Sequence, residues 1–193
     1  MICIMIRIAL VGSIGSGKTY ISNLFGYPVF NADESVSKIY SNNKKIFYKL
    51  KKKLPKFFTY PPVKKEELIK AIVENKSSLN IISKIVHPEV RKDLQKFIKK
   101  RNKKKAIVLD IPLLLENKLN KKKDVIIFIQ SQNKEVLKRL KKRKNFNNLV
   151  FQQLKKIQLP LDIKKRHSHY VIKNNFKRDS VRKNVKDILN KIL

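Results

Sequence analysis

Three of the four glycines in this chain lie within six residues, and a lysine and a hydroxyl residue follow them directly. The segment reads Gly12-Ser13-Ile14-Gly15-Ser16-Gly17-Lys18-Thr19 and fits the pattern G-x4-G-K-[ST]. Backbone N–H groups can wrap around a phosphate only where no side chain intervenes and positive φ is allowed, as glycine permits. The segment therefore predicts a loop that binds the phosphates of a nucleotide.

The residues on either side of this loop support the prediction. The run from Ile4 to Val11 is aliphatic and β-branched, which is typical of a strand buried on both faces of a parallel sheet. The segment 20–25 predicts a helix ended by Gly26. The dipole of that helix attracts phosphate, and Lys18 is expected to reach the β- and γ-phosphates. The Thr19 hydroxyl is expected to ligate Mg²⁺, and an ordinary glycine-rich turn is the disfavoured alternative.

Further strands alternate with helices along the chain. Apolar runs predict strands at 29–31, 106–111, 125–129 and 170–172. Helical spacing is present at 88–100, with Pro88 in the first position, and at 134–143. This alternation predicts an α/β fold with a doubly wound, mostly parallel five-stranded sheet.

A long segment without strand signals interrupts this alternation. Residues from about 40 to 103 show helical spacing instead, at 64–74, 78–86 and 88–100. We expect an inserted helical subdomain that binds substrate. The lysine triplets are assigned to loops, at 51–53, 103–105 and 121–123.

The charge balance raises a second class of function. The 193 residues contain 47 Lys+Arg and 14 Asp+Glu, for a formal charge of +33. Such a charge is typical of nucleic-acid-binding proteins, but 39 of the cations are lysines spread over the whole length, and only eight are arginines. We favour a solvated lysine-rich surface shaped by composition, without a specific nucleic-acid partner. The functional alternative is a positive field that steers anionic substrates toward a cleft.

Two further sequence features bear on the cellular compartment of the protein. The single cysteine, Cys3, excludes a disulfide framework and a cysteine-based zinc site. The apolar stretch Met1–Val11 is too short to span a bilayer and contains Arg7. We therefore expect a cytoplasmic protein without a membrane partner.

Asp33 follows the second predicted strand, 15 residues after Lys18. It is placed at the carboxyl edge of the sheet, where ligands of α/β proteins gather. A carboxylate there can orient or deprotonate an acceptor hydroxyl that faces the γ-phosphate. The alternative is an N-cap of a helix over 34–40, and position alone leaves both interpretations open.

Two arginines and a second aspartate are further candidates. Arg139 and Arg143 have i, i+4 spacing on one helical face and can neutralise the charge of a transferring phosphoryl group. The alternative is a solvated cationic helix. Asp110 ends the third strand and either holds a metal-bound water or caps the next segment.

His87 precedes a helix that also carries Arg91. A single histidine in this place is either a structural residue or a substrate contact. His167 and His169 have no partner carboxylate at a useful spacing and are interpreted as structural.

Several segments, in this order, resemble the dephospho-CoA kinase family. The opening 8–19 and Phe30-Asn31-Ala32-Asp33 are similar to the start of that family. The resemblance continues over almost the whole chain, through His87-Pro88-Glu89-Val90-Arg91, Asp110–Glu116, Leu137–Arg143, Gln158–Leu161 with Lys164, and Val171–Asn174.

The resemblance implies transfer of the γ-phosphoryl group of ATP to the ribose 3′-hydroxyl of dephospho-CoA, the last step of coenzyme A synthesis. It implies a P-loop kinase core at about 1–38 and 104–193, a helical CoA subdomain at about 39–103 and a lid at about 139–150. We expect a monomer or weak homo-oligomer. Another P-loop nucleoside or nucleotide kinase is the alternative enzyme, and a basic nucleic-acid-binding protein is the alternative from another class.

The resemblance implies a role for each candidate residue. Asp33, Lys18 and Arg143 are expected to be catalytic, Asp33, His87 and Arg91 to contact dephospho-CoA, and Thr19 to ligate Mg²⁺. ATP is expected to bind Gly12, Gly15, Ser16, Gly17, Lys18, Thr19, Tyr20, Arg139 and Asn174.

The chain also departs from the family pattern at several positions. Lys65 stands in place of an arginine and cannot reproduce its bidentate fork, which puts one anion contact in doubt. The other departures are Ser13 for the second glycine of the loop, Tyr20 for a serine or threonine, Asn31 for an aspartate, Lys144 for an aspartate and Phe176 near the place of a glycine.

Overall fold

The computed structural model describes residues 5–143 and 146–193. Within these residues, one sheet of five strands, all parallel, has the order β2-β3-β1-β4-β5. The strands are β1 Ile6–Gly12, β2 Val29–Asn31, β3 Ala106–Asp110, β4 Val125–Ser131 and β5 Tyr170–Asn174. The predicted α/β class is confirmed; the start of the first predicted strand, Ile4, lies outside the described residues. Strand β1 lies between β3 and β4, so the loop after β1 is at the point where the strand order reverses.

The described helices are α1 Lys18–Leu24, α2 Ala32–Asn42, α3 Lys44–Lys53, α4 Lys65–Glu74, α5 Ser78–Lys100, α6 Asn133–Lys141, α7 Asn148–Lys156, α8 Leu161–Arg166 and α9 Arg178–Ile192. The assignment of the first lysine triplet to a loop is wrong, because residues 51–53 form the last turn of α3. Ile46, Phe47 and Leu50 bury one face of that helix. The lysines at its end interact favourably with the helix dipole, so this basic segment is helical.

The prediction of a helix that starts at Pro88 is also wrong, because Pro88 lies inside the continuous helix α5. A proline there removes one backbone hydrogen bond and costs about 3 kcal/mol. Four buried residues spaced four apart, Ile82, Val86, Val90 and Leu94, lie on both sides of the proline. Burial of each contributes roughly 1.5–3 kcal/mol, so the continuous apolar face outweighs the lost bond.

The chain divides into two compact units. The first consists of Met1–Asn31, Arg101–Asn147 and Gln153–Leu193 and contains the sheet. Its core joins Ile8 and Leu10 of β1 to Ile21 of α1 and Val181 of α9. This packing seats α1 firmly behind the glycine-rich loop.

The second unit consists of Ala32–Lys100 and Asn148–Gln152. It contains α2 to α5 and no strand among residues 40–103, as predicted. The Ser35 hydroxyl of α2 donates to a carboxylate oxygen of Asp93 on α5 over 2.8 Å. Part of the segment predicted as a lid, residues 144 and 145, lies outside the described residues. In the part of the chain that is described, no helix is both long and apolar enough to cross a membrane.

Candidate active site

The glycine-rich loop depends on glycine at its close contacts. Gly17 has φ of 90°, and a Cβ at this position would lie 2.5 Å from the side-chain nitrogen of Asn174. Gly15 has φ of 78°, and a Cβ there would lie 2.8 Å from Cγ of Leu140. The spacing of these glycines is thus set by backbone conformation and by neighbouring side chains.

The last residues of β4 and β5 form hydrogen bonds to the loop. The Ser16 carbonyl accepts a hydrogen bond from the Ser131 hydroxyl over 3.1 Å and from the Asn174 side-chain amide over 2.8 Å. Ser131 is the last residue of β4 and Asn174 the last residue of β5. The loop is therefore preorganised by the carboxyl ends of its neighbours in the sheet. Ser131 is absent from the sequence prediction, which ended this strand at residue 129; a hydroxyl residue two positions beyond the predicted end was a usable signal.

The loop has room and charge for phosphate. Lys18 is 7% exposed, and its Nζ donates to the Ser13 carbonyl over 2.8 Å and to the Gly12 carbonyl over 3.4 Å. The Ser16 hydroxyl is fully buried and has no hydrogen-bond partner among the described residues. A buried hydroxyl without a partner is costly unless a ligand supplies one. Together with the ammonium group of Lys18, it fits a bound polyphosphate.

Thr19, Asn31 and Asp110 form a polar cluster beside the loop. Oδ2 of Asp110 accepts from the Thr19 hydroxyl over 2.6 Å and from the Asn31 amide over 3.2 Å. The pairing of Asn31 and Leu10 with Asp110 across β2, β3 and β1 brings these ends together. Asn31, which stands in place of an aspartate of the family pattern, donates a hydrogen bond to Asp110 through its side-chain amide. This geometry favours the metal-site interpretation of Asp110, which the sequence left open, because hydroxyl and carboxylate oxygens suit Mg²⁺.

Replacement of Asp110 by asparagine is expected to raise the Mg²⁺ concentration for half-maximal activity about 10- to 100-fold, as for other groups that support a metal site. Asparagine retains an oxygen for Thr19, so the fold should be preserved. Magnesium titrations of turnover provide the measurement. Asp162→Asn is the matched control, since its carboxylate pairs with Arg166 in an exposed ion pair. An unchanged Mg²⁺ requirement in Asp110→Asn would contradict this assignment.

A cavity of about 530 Å³ opens next to the loop. It brings together several residues predicted to bind the nucleotide, and further residues that the sequence did not assign to ATP. The lining residues are Gly15, Gly17, Tyr20, Arg139, Lys142, Arg143, Asn174, Phe176 and Arg178. Lys142 and Arg143 of the turn after α6 and Arg178 of α9 thus join Arg139 of α6 at this cavity, which therefore suits a polyanion.

The placement of Arg143 differs from the prediction in one respect. Helix α6 ends at Lys141, and Arg143 lies in the following turn, where its backbone N–H donates to the Leu140 carbonyl over 3.0 Å. Arg139 and Arg143 therefore do not share a continuous helical face. Both nevertheless line the cavity, Arg139 from the helix and Arg143 from the turn that follows it.

Asp33, His87 and Arg91 belong to the helical unit. Helix α2 begins at Ala32, so it includes Asp33 in its first turn and the interpretation of Asp33 as an N-cap is wrong. Asp33 is exposed. His87 lies inside α5, not before a helix, and is half-buried. Burial, reinforced by the charge of Arg91 one turn later, lowers the pKa of His87 and so favours the neutral form of its imidazole.

The sheet order, the loop after β1 and the cationic cavity define a P-loop kinase. A family model described as "Dephospho-CoA kinase" matches residues 6–179. The chain belongs to the dephospho-CoA kinase family, as the sequence resemblance predicted. It is therefore an enzyme of the phosphotransferase class.

Individual relatives agree with this membership. A dephospho-CoA kinase from the Wolbachia of Brugia malayi is 32% identical over 190 residues, which cover 96% of this chain and 97% of that one. A Thermus thermophilus crystal structure has a TM-score of 0.78 at 23% identity and 98% coverage of both chains. A dephospho-CoA kinase structure from Campylobacter jejuni has a TM-score of 0.65 at 21% identity and 96% coverage of both chains. These two structures confirm the fold.

Proposed function

We propose that this chain transfers the γ-phosphoryl group of ATP to the ribose 3′-hydroxyl of dephospho-CoA and releases coenzyme A and ADP. The new bond joins O3′ to Pγ, and the bond from Pγ to the β,γ-bridging oxygen breaks. The observation that carries this proposal is the loop itself, with buried Lys18 and the unpaired Ser16 hydroxyl, in a chain that belongs to the dephospho-CoA kinase family.

Cationic groups around the loop are proposed to hold the nucleotide. The backbone N–H groups of the loop, Nζ of Lys18 and the Arg139 guanidinium bind the nucleotide, while Arg143 neutralises charge on the transferring group. Their presence around one cavity supports these roles. Phosphoryl transfer requires positioning and charge neutralisation more than covalent chemistry, and these residues provide both.

Thr19 and Asp110 are proposed to hold Mg²⁺. When bound, the ion supplies positive charge to the phosphate oxygens of ATP. The hydrogen bond of 2.6 Å from the Thr19 hydroxyl to the Asp110 carboxylate supports this proposal, because it brings two oxygen ligands side by side. Asn31 orients that carboxylate through its 3.2 Å hydrogen bond.

Asp33 is proposed to orient the acceptor hydroxyl and to accept its proton during transfer. Its position in the chain supports this role, because it follows the last residue of β2 by two residues. His87 and Arg91 are proposed to contact dephospho-CoA. Neutral His87 can donate or accept a hydrogen bond, and exposed Arg91 can pair with a phosphate.

The proposed function is tested by ADP release in the presence of dephospho-CoA, adenosine or AMP in parallel assays. Turnover with dephospho-CoA should greatly exceed turnover with the other two acceptors. Equal or faster turnover with adenosine or AMP would contradict the proposal and favour another P-loop nucleoside or nucleotide kinase. Location in the cytoplasm and a monomeric or weakly associating state stay predictions from the sequence.

The basic surface makes a separate prediction about substrate capture. The formal charge of +33 should attract the anionic substrate, and salt screens that attraction by shortening the Debye length from about 10 Å at 0.1 M to about 3 Å at 1 M. Added salt is therefore expected to raise KM for dephospho-CoA severalfold while kcat stays within about twofold. Sucrose at matched osmolality is the control. A strong fall in kcat with constant KM would show instead that the lysines act on the chemical step.

A further inference from the structure

Phe176 has a backbone conformation that an aromatic residue rarely adopts. Its φ is 61°, in the left-handed region, and Lys118 is the other non-glycine residue in this region within 5–143 and 146–193. Such backbone strain persists where the surroundings impose it. It is concentrated in functional sites, and Phe176 lies in the wall of the candidate nucleotide cavity.

A single buried side chain ties Phe176 to the phosphate loop. The backbone N–H of Phe176 donates to Oδ1 of Asn174 over 2.9 Å, and the Asn174 amide nitrogen donates to the Ser16 carbonyl over 2.8 Å. Asn174 is 4% exposed. A Cβ on Gly17 would lie 3.7 Å from an edge carbon of the Phe176 ring. The strained backbone therefore places the ring beside the start of α1.

The Phe176 ring also contacts a cation, the guanidinium of Arg139. The guanidinium carbon of Arg139 lies 4.1 Å from the centroid of the Phe176 ring. Arg139 is exposed and Phe176 is half-buried. Within the described residues, Arg139 forms no salt bridge that would hold it in place. A long exposed arginine otherwise samples many rotamers, and ordering it when a ligand binds lowers the affinity. The ring restricts Arg139 before any nucleotide arrives.

We propose that Phe176 is a positioning residue for ATP binding, which acts by stacking against Arg139 and holding its guanidinium at the cavity beside the phosphate loop. This inference rests on the proposed function, because it takes ATP as the ligand of that cavity. Phe176 does not touch the reacting atoms, so its contribution is to nucleotide affinity and not to the chemical step. The Asn174 hydrogen bond and the Arg139 stack both form with the backbone of Phe176 at φ of 61°.

Phe176→Leu keeps the apolar bulk and removes the aromatic face. We expect the Kd for ATP, measured by titration calorimetry, and KM for ATP to rise about two- to fivefold, as expected for an exposed cation–π contact. The values of kcat and KM for dephospho-CoA should stay within about twofold. Phe176→Tyr restores the ring and should restore the affinity. Unchanged ATP affinity in Phe176→Leu would overturn the proposal.

Phe176→Gly gives an independent readout of the strain. Glycine accepts φ of 61° without cost, so the melting temperature should not fall, while ATP affinity should weaken as in Phe176→Leu. A lower melting temperature with unchanged ATP affinity would assign Phe176 a purely structural role. This variant also keeps the test valid if leucine at the strained position folds poorly.

A double-mutant cycle tests whether Phe176 acts through Arg139. If Phe176 acts through Arg139, Phe176→Leu should add no further loss to Arg139→Ala, whereas independent effects would add and overturn the mechanism. Tyr60→Leu is the matched control, because Tyr60 is 75% exposed and lies 5.8 Å from Nζ of Lys51 in a comparable cation–π contact in the helical unit. Wild-type turnover with dephospho-CoA is measured separately. Its absence would overturn the proposed function and leave the ATP-binding comparison interpretable.

Discussion

Lys18→Ala is expected to lower kcat by about 10²- to 10³-fold, to or below the detection limit of a coupled assay, while the protein stays folded. The side chain is 7% exposed and its Nζ donates to two carbonyls of the phosphate loop. When the polyphosphate is bound, the same ammonium is proposed to neutralise the charge that develops on its oxygens. Its loss removes stabilisation that is greatest in the transition state, so saturating ATP should not restore the rate.

The measurement is ADP release at saturating ATP and dephospho-CoA, together with thermal unfolding. Lys104→Ala is a suitable control, since Lys104 is exposed in the turn before β3 and should affect neither readout. Near-normal turnover of Lys18→Ala at saturating ATP would contradict the assignment of the phosphate loop. A large fall in melting temperature would instead show that Lys18 is needed for the fold.

Asp33→Asn is expected to lower kcat by roughly 10²- to 10⁴-fold, the range for a positioned base. Asparagine has nearly the same shape and can still accept a hydrogen bond, but it cannot take the proton of the acceptor hydroxyl at neutral pH. The Kd for ATP should change little, because the phosphates are assigned to the loop and Lys18. Loss of the negative charge near the start of α2 costs only about 0.3–1 kcal/mol, so the melting temperature should change by a few degrees at most.

Glu34→Gln is the matched control for this variant. Glu34 is adjacent in the chain, is also in the first turn of α2 and loses the same charge near the same helix dipole. A large rate loss confined to Asp33→Asn would therefore identify chemistry and not helix electrostatics. Equal effects of both substitutions, or unchanged turnover in Asp33→Asn, would return Asp33 to a structural role and leave the acceptor-activating group to be sought elsewhere.

Several features of the site were predictable from local sequence. The phosphate loop depends on glycines at fixed spacing between an apolar run and a helix, and all of this information lies within residues 6–24. The predicted strands 29–31, 106–111, 125–129 and 170–172 are present, with ends that differ by at most two residues. Strands β3 and β4 are buried over most of their length and have aliphatic runs, so composition identifies them.

Other predictions were wrong for two different reasons. Pro88 normally begins a helix, but the buried face of α5 continues through it, and the free energy of packing exceeds the propensity of a single residue. Arg143 has helical spacing from Arg139, but helix α6 ends at Lys141 and is followed by a local turn, in which the Arg143 N–H donates to the Leu140 carbonyl.

By itself, the sequence determined the phosphate loop and the parallel α/β class, because both depend on residue type and short-range spacing. The kinase family followed from the resemblance of several segments, in order, over almost the whole chain. Only the tertiary structure decided which side chains complete the site. Asp110 meets Thr19 because β3 pairs with β1, and Asn174 reaches the Ser16 carbonyl because β5 lies beyond β4. The stack of Phe176 on Arg139 likewise joins residues of different elements. Strand order and register are set by burial summed over the whole sheet, so no local pattern contains these contacts.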